Sequence, residues 1–79
     1  MENLSKHTIN LITKSGSSYL VDTFMHVVSG GKLEHPVRYT KIAGSFLIGC
    51  NPIFYLEDGR VMQISSIVNY GETVYKGAV

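Results

Sequence analysis

A chain of 79 residues, with 44% hydrophobic and 16% charged side chains, one cysteine and a formal charge of +1, leaves room for one small domain spanning residues 1–79. It excludes an intramolecular disulfide, and it argues against the clustered basic charge that gives strong general affinity for nucleic acid or anionic membrane. Globular domains average about 25% charged residues, so this surface is short of ionic groups, and association with another chain is the most available staple for so small a core.

The opening MENLSKHTIN carries no apolar core and no small-residue cleavage site, and Glu2 excludes N-myristoylation. No apolar run approaches the ~20 residues that a spanning helix needs. These features, with the single Cys50, lead to the expectation of a cytoplasmic protein with no membrane partner. Glycines at 16, 30, 31, 44, 49, 59, 71 and 77 punctuate short runs rich in Val, Ile, Thr, Tyr and Phe. Regular turn signals between β-branched runs predict an all-β fold. The expectation is a small, strongly curved antiparallel sheet or a partly open, SH3-like barrel of five or six strands. No window sustains a capped helical stripe, so at most one short helix is expected.

In chain order, residues 7–13 and 17–28 read as two strands around Lys14-Ser15-Gly16. A three-residue loop ending in glycine is a type I turn closed by a left-handed residue. That loop sets Leu11 opposite Tyr19 and Ile9 opposite Val21, giving one apolar face. Thr8, Asn10, Ser18 and Asp22 take the other face, with Ile12 and Leu20. A two-residue loop would put Asp22 beside Ile9, and a one-residue slip would exchange the faces. Residues 29–36, SGGKLEHP, form the most polar stretch and the predicted long loop. Residues 37–43 then read as a strand starting after Pro36. A short strand is predicted over 45–49, and a last one over 72–77.

Residues 53–56 and 61–68 flank Asp58-Gly59, a strong hairpin signal for a two-residue type I′ turn. In that register Glu57 faces Arg60, Leu56 meets Val61, Tyr55 meets Met62, Phe54 meets Gln63 and Ile53 meets Ile64. Both faces are apolar, as for the wall of a closed barrel or an interface. The side chains expected at a partner or oligomer interface are Phe54, Leu56, Val61 and Gln63. Ser65-Ser66 breaks the alternation and predicts a bulge or a bend from one sheet to another.

Chemistry is sparse along this chain. Adjacent Glu57 and Asp58 in a turn stay solvated rather than converging as an acid/base pair. His7, His26 and His35 lack metal-ligand spacing, and Cys50 lacks a paired histidine or a helix entry. No metal site, catalytic residue or cofactor is expected. Ser15-Gly16-Ser17-Ser18 and Ser29-Gly30-Gly31-Lys32 could form small anion nests, but the second lacks the Lys-Ser/Thr pair of a phosphate loop. Arg38-Tyr39-Thr40-Lys41 mixes base and aromatic, with Tyr39 and Lys41 on one face of a strand and Arg38 and Thr40 on the other. Arg38, Tyr39, Lys41 and Lys32 are therefore the candidate contacts to an anion or nucleic acid, with Tyr19 and Tyr75 as further stacking faces.

The leading expectation is a non-enzymatic binding module that occludes a macromolecular partner as a homodimer. A compact, motif-free chain of this size also suits a phage or mobile-element accessory protein that inhibits a host (defence) protein. Two alternatives are a sponge or sensor for a small nucleotide-like anion and a small barrel that binds single-stranded nucleic acid.

Overall fold

The first hairpin forms because its turn and its alternation agree. The computed structural model describes residues 5–76, and strand β1 (Ser5–Thr13) pairs with β2 (Ser18–Asp22) in the predicted register. Ile9 lies opposite Val21 and Leu11 opposite Tyr19, all four buried, while Asn10, Ser18 and Leu20 are exposed. Thr13 N–H donates to Ser17 O at 2.9 Å and Gly16 N–H to Thr13 O at 2.9 Å, closing a three-residue loop with Gly16 at φ +89°. Glycine meets that positive φ at little steric cost.

The second predicted strand does not run unbroken to residue 28. The Asp22 carboxylate accepts the Phe24 and Met25 N–H groups at 3.0 and 2.9 Å, and His26 takes φ +56°. An aspartate that bonds the backbone just ahead of it competes with the ladder and starts a turn. The chain reverses there, so Asp22 pairs with Val27, the first residue of β3 (Val27–Gly30). The loop after β3 is the expected polar one, and β4 (Val37–Ala43) has the expected bounds.

Residues 45–49 are not a strand. Leu47 O accepts the Cys50 N–H at 3.0 Å with Gly49 at φ +92°, so this segment is a tight turn. After buried Pro52 come β5 (Ile53–Leu56) and β6 (Val61–Gln63). Their loop differs from the predicted type I′ turn. Leu56 N–H donates to Arg60 O at 2.8 Å and Gly59 N–H to Leu56 O at 3.0 Å, so Glu57-Asp58-Gly59 is a three-residue loop. Gly59 has φ +93°, while Asp58 does not adopt the positive φ that a type I′ turn requires. Instead its carboxylate accepts the Arg60 N–H at 3.0 Å and the Arg60 Nε–H at 2.7 Å. The closing charge pair is therefore Asp58–Arg60, not Glu57–Arg60, and the Arg60 N–H bond, with the guanidinium beside it, lowers the Asp58 pKa below the usual carboxylate value.

One extra loop residue moves the whole pairing by one. Tyr55 faces Val61, Phe54 faces Met62 and Ile53 faces Gln63. A one-residue slip exchanges the faces of a strand. Phe54, Leu56 and Met62 thus share the inner face, and Ile53, Tyr55, Val61 and Gln63 the outer one.

The predicted break at Ser65-Ser66 is a corner. Ile64 and Ile67 are both buried on either side of it, and the chain resumes as β7 (Ile67–Lys76), which lies beside β1. Residue 77 of the predicted last strand lies outside the described residues. Tyr70-Gly71 sits inside β7 rather than before it.

Seven antiparallel strands among the described residues make one open sheet in the order β6-β5-β4-β3-β2-β1-β7. The fold class is the predicted all-β one, with seven strands against the five or six expected; the 17–28 segment divides into β2 and β3, and the end of the 61–68 segment joins the last strand as β7. No helix occurs among the described residues, and so none is long and apolar enough to cross a membrane. The curled inner face holds Ile9, Leu11, Tyr19, Val21, Val28, Tyr39, Phe54, Leu56, Ile64 and Ile67 as one core.

Candidate functional site

Two surfaces stand out once the core is accounted for: the open edge of β7 and a groove beside β6.

β7 has β1 as its neighbour and forms one margin of the sheet. Odd-numbered β1 residues turn their backbone groups toward β2, as Thr13 N–H to Ser17 O and Thr23 N–H to His7 O show. Even-numbered ones therefore bond β7, where Ile12, Asn10 and Thr8 pair with Asn69, Gly71 and Thr73. The alternation turns the N–H and C=O groups of Tyr70 and Glu72 outward, to the open edge. At the start of the strand the edge is covered, since Gly49 N–H donates to Ile67 O at 2.8 Å and Ile67 N–H to Cys50 O at 3.0 Å. That contact brings the 47–50 turn against β7. Leu47, Ile48 and Val68 are 60, 65 and 48% exposed, and Tyr70 follows them along the edge at 40%.

The groove lies between the loop after β3 and strand β6. One hollow of about 460 Å3 is lined by Ser15, Tyr19, Lys32, Asn51, Met62 and Gln63 with Ile64 and Ser65. A second of about 330 Å3 shares Lys32, Met62 and Gln63 with it and adds Leu33, Leu56 and Arg60 with Val61. Serine hydroxyls pin its far wall: Ser65 Oγ donates to Ser15 Oγ at 3.0 Å, and Ser15 N–H to Ser65 Oγ at 3.3 Å. Asn51 is also committed, donating to Ile64 O at 3.1 Å and accepting from Ser66 Oγ at 3.4 Å.

The predicted site residues divide between these surfaces and the core. Phe54 and Leu56 are buried, whereas Val61 is 60% exposed and Gln63 is exposed on the opposite face. The four do not form one patch, because the hairpin register differs by one residue from the predicted one. A charge at Leu56 consequently tests folding rather than association. Arg38, Tyr39, Lys41 and Lys32 do not converge either. Thr40 is a bulge between Tyr39, opposite Leu56, and Lys41, opposite Tyr55. The extra residue turns Lys41 away from the face of Tyr39, and its ammonium lies 5.5 Å from the centre of the Tyr55 ring. Arg38 and Lys41 are exposed on the outer side of the sheet, while Lys32 borders the groove. The side chain of Tyr75 lies outside the described residues.

Tyr39 is a core residue, packed edge-on to Phe54 at 5.9 Å and tilted against His26 at 5.4 Å. Burial, and then the charge of Asp22, raises its pKa above the ordinary 10.0. The folded state therefore holds the Tyr39 proton where the unfolded chain has begun to lose it, and stability falls as pH rises through and above 10. In urea titrations from neutral pH to about pH 11, the wild type should lose more stability than Tyr39→Phe. Its hydroxyl makes only a long 3.5 Å bond to Asp22 O, so the variant should be near wild type at neutral pH. Equal alkaline losses would remove Tyr39 from the linkage.

Sequence reasoning missed one constellation, formed by His7, Thr23 and Glu72. His7 Nδ1 lies 3.0 Å from Thr23 Oγ1, and His7 Nε2 lies 3.0 Å from Glu72 Oε2. The order hydroxyl–imidazole–carboxylate is that of a nucleophile and its base. Two features oppose that chemistry. Thr23 Oγ1 donates to His7 O at 3.0 Å, and the nearby Phe24 and Met25 N–H groups are taken by the Asp22 carboxylate. Neither of those two N–H groups is free to bind a developing oxyanion. The three side chains instead clamp the β2–β3 turn to β1 and β7. No spacing in the sequence announces them, since they come from three separate strands or turns.

A comparison with protein-family models, curated proteins and solved structures finds no match to this chain.

Proposed function

We propose that the protein is a non-enzymatic binding module that occludes a protein partner, and that it self-associates as a homodimer through the open edge of β7. The observation that carries this reading is the edge of β7 beyond its covered start, where the backbone groups of Tyr70 and Glu72 turn outward beside exposed Leu47, Ile48 and Val68. A stretch of edge with outward backbone groups and no proline is a template for another strand. Main-chain bonds then give affinity and flanking apolar side chains give selectivity. An antiparallel edge is also self-complementary across a two-fold axis, which suits a second copy. Bends at Thr40 and at Ser65-Ser66 support a strongly curved, SH3-like sheet, and the single cysteine supports a reducing, cytoplasmic setting. The nucleic-acid reading loses support, since Tyr39 is buried and Arg38 and Lys41 lie apart from Lys32.

Light scattering coupled to size-exclusion chromatography tests the edge. Proline at 70 removes an outward N–H and no bond to β1, a placement that edge strands tolerate. The wild type and Tyr70→Ala should elute as dimers and Tyr70→Pro as a folded monomer. A monomeric wild type at high concentration, or a dimeric Tyr70→Pro, would overturn the proposal.

A further inference from the structure

β6 is the other margin of the sheet, and its main chain is open as well. Leu56 N–H donates to Arg60 O and Glu57 N–H to Arg38 O, both at 2.8 Å. Even-numbered β5 residues therefore bond β6, where Phe54 pairs with Met62, and odd-numbered ones bond β4. The alternation turns the N–H and C=O groups of Val61 and Gln63 away from β5, and no other segment among the described residues bonds them. Their side chains lie on the outer face, so this margin presents main chain to the groove. The hollows of about 460 and 330 Å3 adjoin along it, sharing Lys32 and Met62. Met62 and, in the facing loop, Leu33 are half-buried and give the groove apolar walls. Lys32 makes no hydrogen bond or ion pair among the described residues, and no carboxylate lines either hollow.

We infer that the β6 edge takes an extended segment of a partner protein as an added strand, with an acidic side chain beside Lys32 and an apolar one over Met62 and Leu33. The inference rests on the reading of the protein as a module that binds a protein partner, and not on the dimer. In strand addition, main-chain bonds give affinity and alternate side chains give selectivity. Alternate side chains of a strand share a face, so the acidic and apolar residues that enter the groove stand two positions apart. Arg60 borders the second hollow with its charge shared by Asp58, so Lys32 is the cation without a fixed partner. Met62 adapts its shape to whichever apolar side chain arrives. A second copy of this chain is the poorer occupant. Its own β6 would bring its own loop and its own Lys32 to the same place, like charge beside like charge. The β7 edge has no such wall, and its exposed neighbours Leu47, Ile48 and Val68 are apolar, which is why the two margins suit different partners.

A random library of short peptides displayed on phage, selected against the full chain, supplies the probe. Selected peptides should carry Asp or Glu two positions from an apolar residue. The tightest of them, synthesised, should shift the amides of Val61 and Gln63 in heteronuclear NMR. N-methylation of the peptide backbone should abolish binding at alternate residues and spare those between, a signature that needs no change to the protein. Lys32 is exposed, so Lys32→Glu keeps the fold. By replacing attraction with repulsion it should weaken binding about 10-fold, and less at high salt. Tyr70→Pro, whose oligomeric state light scattering scores separately, should bind the peptide as wild type. The inference is overturned if no peptide is selected, if the shifts fall on Tyr70 and Glu72 instead, if N-methylation shows no alternation, or if Lys32→Glu binds undiminished. A monomeric wild type that still takes the peptide at Val61 and Gln63 would overturn the dimer and support this edge.

Discussion

Phe54→Ala should cost about 3–5 kcal/mol of folding stability, whereas Val61→Ala should stay within about 0.5 kcal/mol. The contrast follows from the hairpin register. Phe54 is fully buried opposite Met62, edge-on to Tyr39 at 5.9 Å and stacked with Phe46 at 6.0 Å. Removing its ring leaves a cavity among residues from β4, β5 and β6 that cannot all collapse into it. Val61 is 60% exposed on the other face, where truncation removes little packing. A chain of this size has a total stability of roughly 4–12 kcal/mol, so Phe54→Ala removes a large part of it. Urea denaturation followed by circular dichroism would measure both variants. In a two-residue turn, Phe54 and Val61 would share a face, and truncating either would have comparable consequences. Similar losses would therefore reject the three-residue loop.

That register shows where the sequence was legible. In the first hairpin one loop length placed Ile9, Leu11, Tyr19 and Val21 together, and the other buried Asp22; the pattern could decide. In the second, both faces are apolar, so alternation favoured neither register. The Asp-Gly pair pointed to a type I′ turn, but Asp58 lowers the energy of a different one by bonding the Arg60 N–H. The Thr40 bulge has no local signal and moved Lys41 off the face of Tyr39. The groove was hidden for a further reason. Lys32 and Met62 are far apart in the sequence, and they border one hollow only through the curl of the whole sheet. The β7 edge is equally non-local, because Tyr70-Gly71 looks like a turn until β1 is laid beside it.

Gly31→Ala is the second large effect, and it connects the fold to the groove. Gly31 has φ +55°, its N–H donates to Ser18 O at 2.8 Å, and a Cβ there would lie 2.2 Å from two ring carbons of Tyr19. The ring cannot swing away freely, because Tyr19 is buried beside Leu11 on the inner face. A left-handed conformation costs a non-glycine residue about 1–2 kcal/mol, and overpacking adds about 1–3 kcal/mol. Together they predict a loss of roughly 2–5 kcal/mol. Gly16→Ala supplies the control. Gly16 has φ +89°, and a methyl group there would meet nothing within 4 Å, so only the backbone cost applies. Urea titration should therefore rank Gly31→Ala well below Gly16→Ala in stability. In a Tyr19→Leu background, itself destabilised, the additional effect of Gly31→Ala should shrink toward that of Gly16→Ala, since the ring it strikes is gone. If the additional loss were unchanged, the clash with Tyr19 would not be its source. The same contact explains why Lys32 stands where it does: the loop can cross over Tyr19 only without a side chain at 31, and Lys32, the next residue, is set down at the rim of the groove.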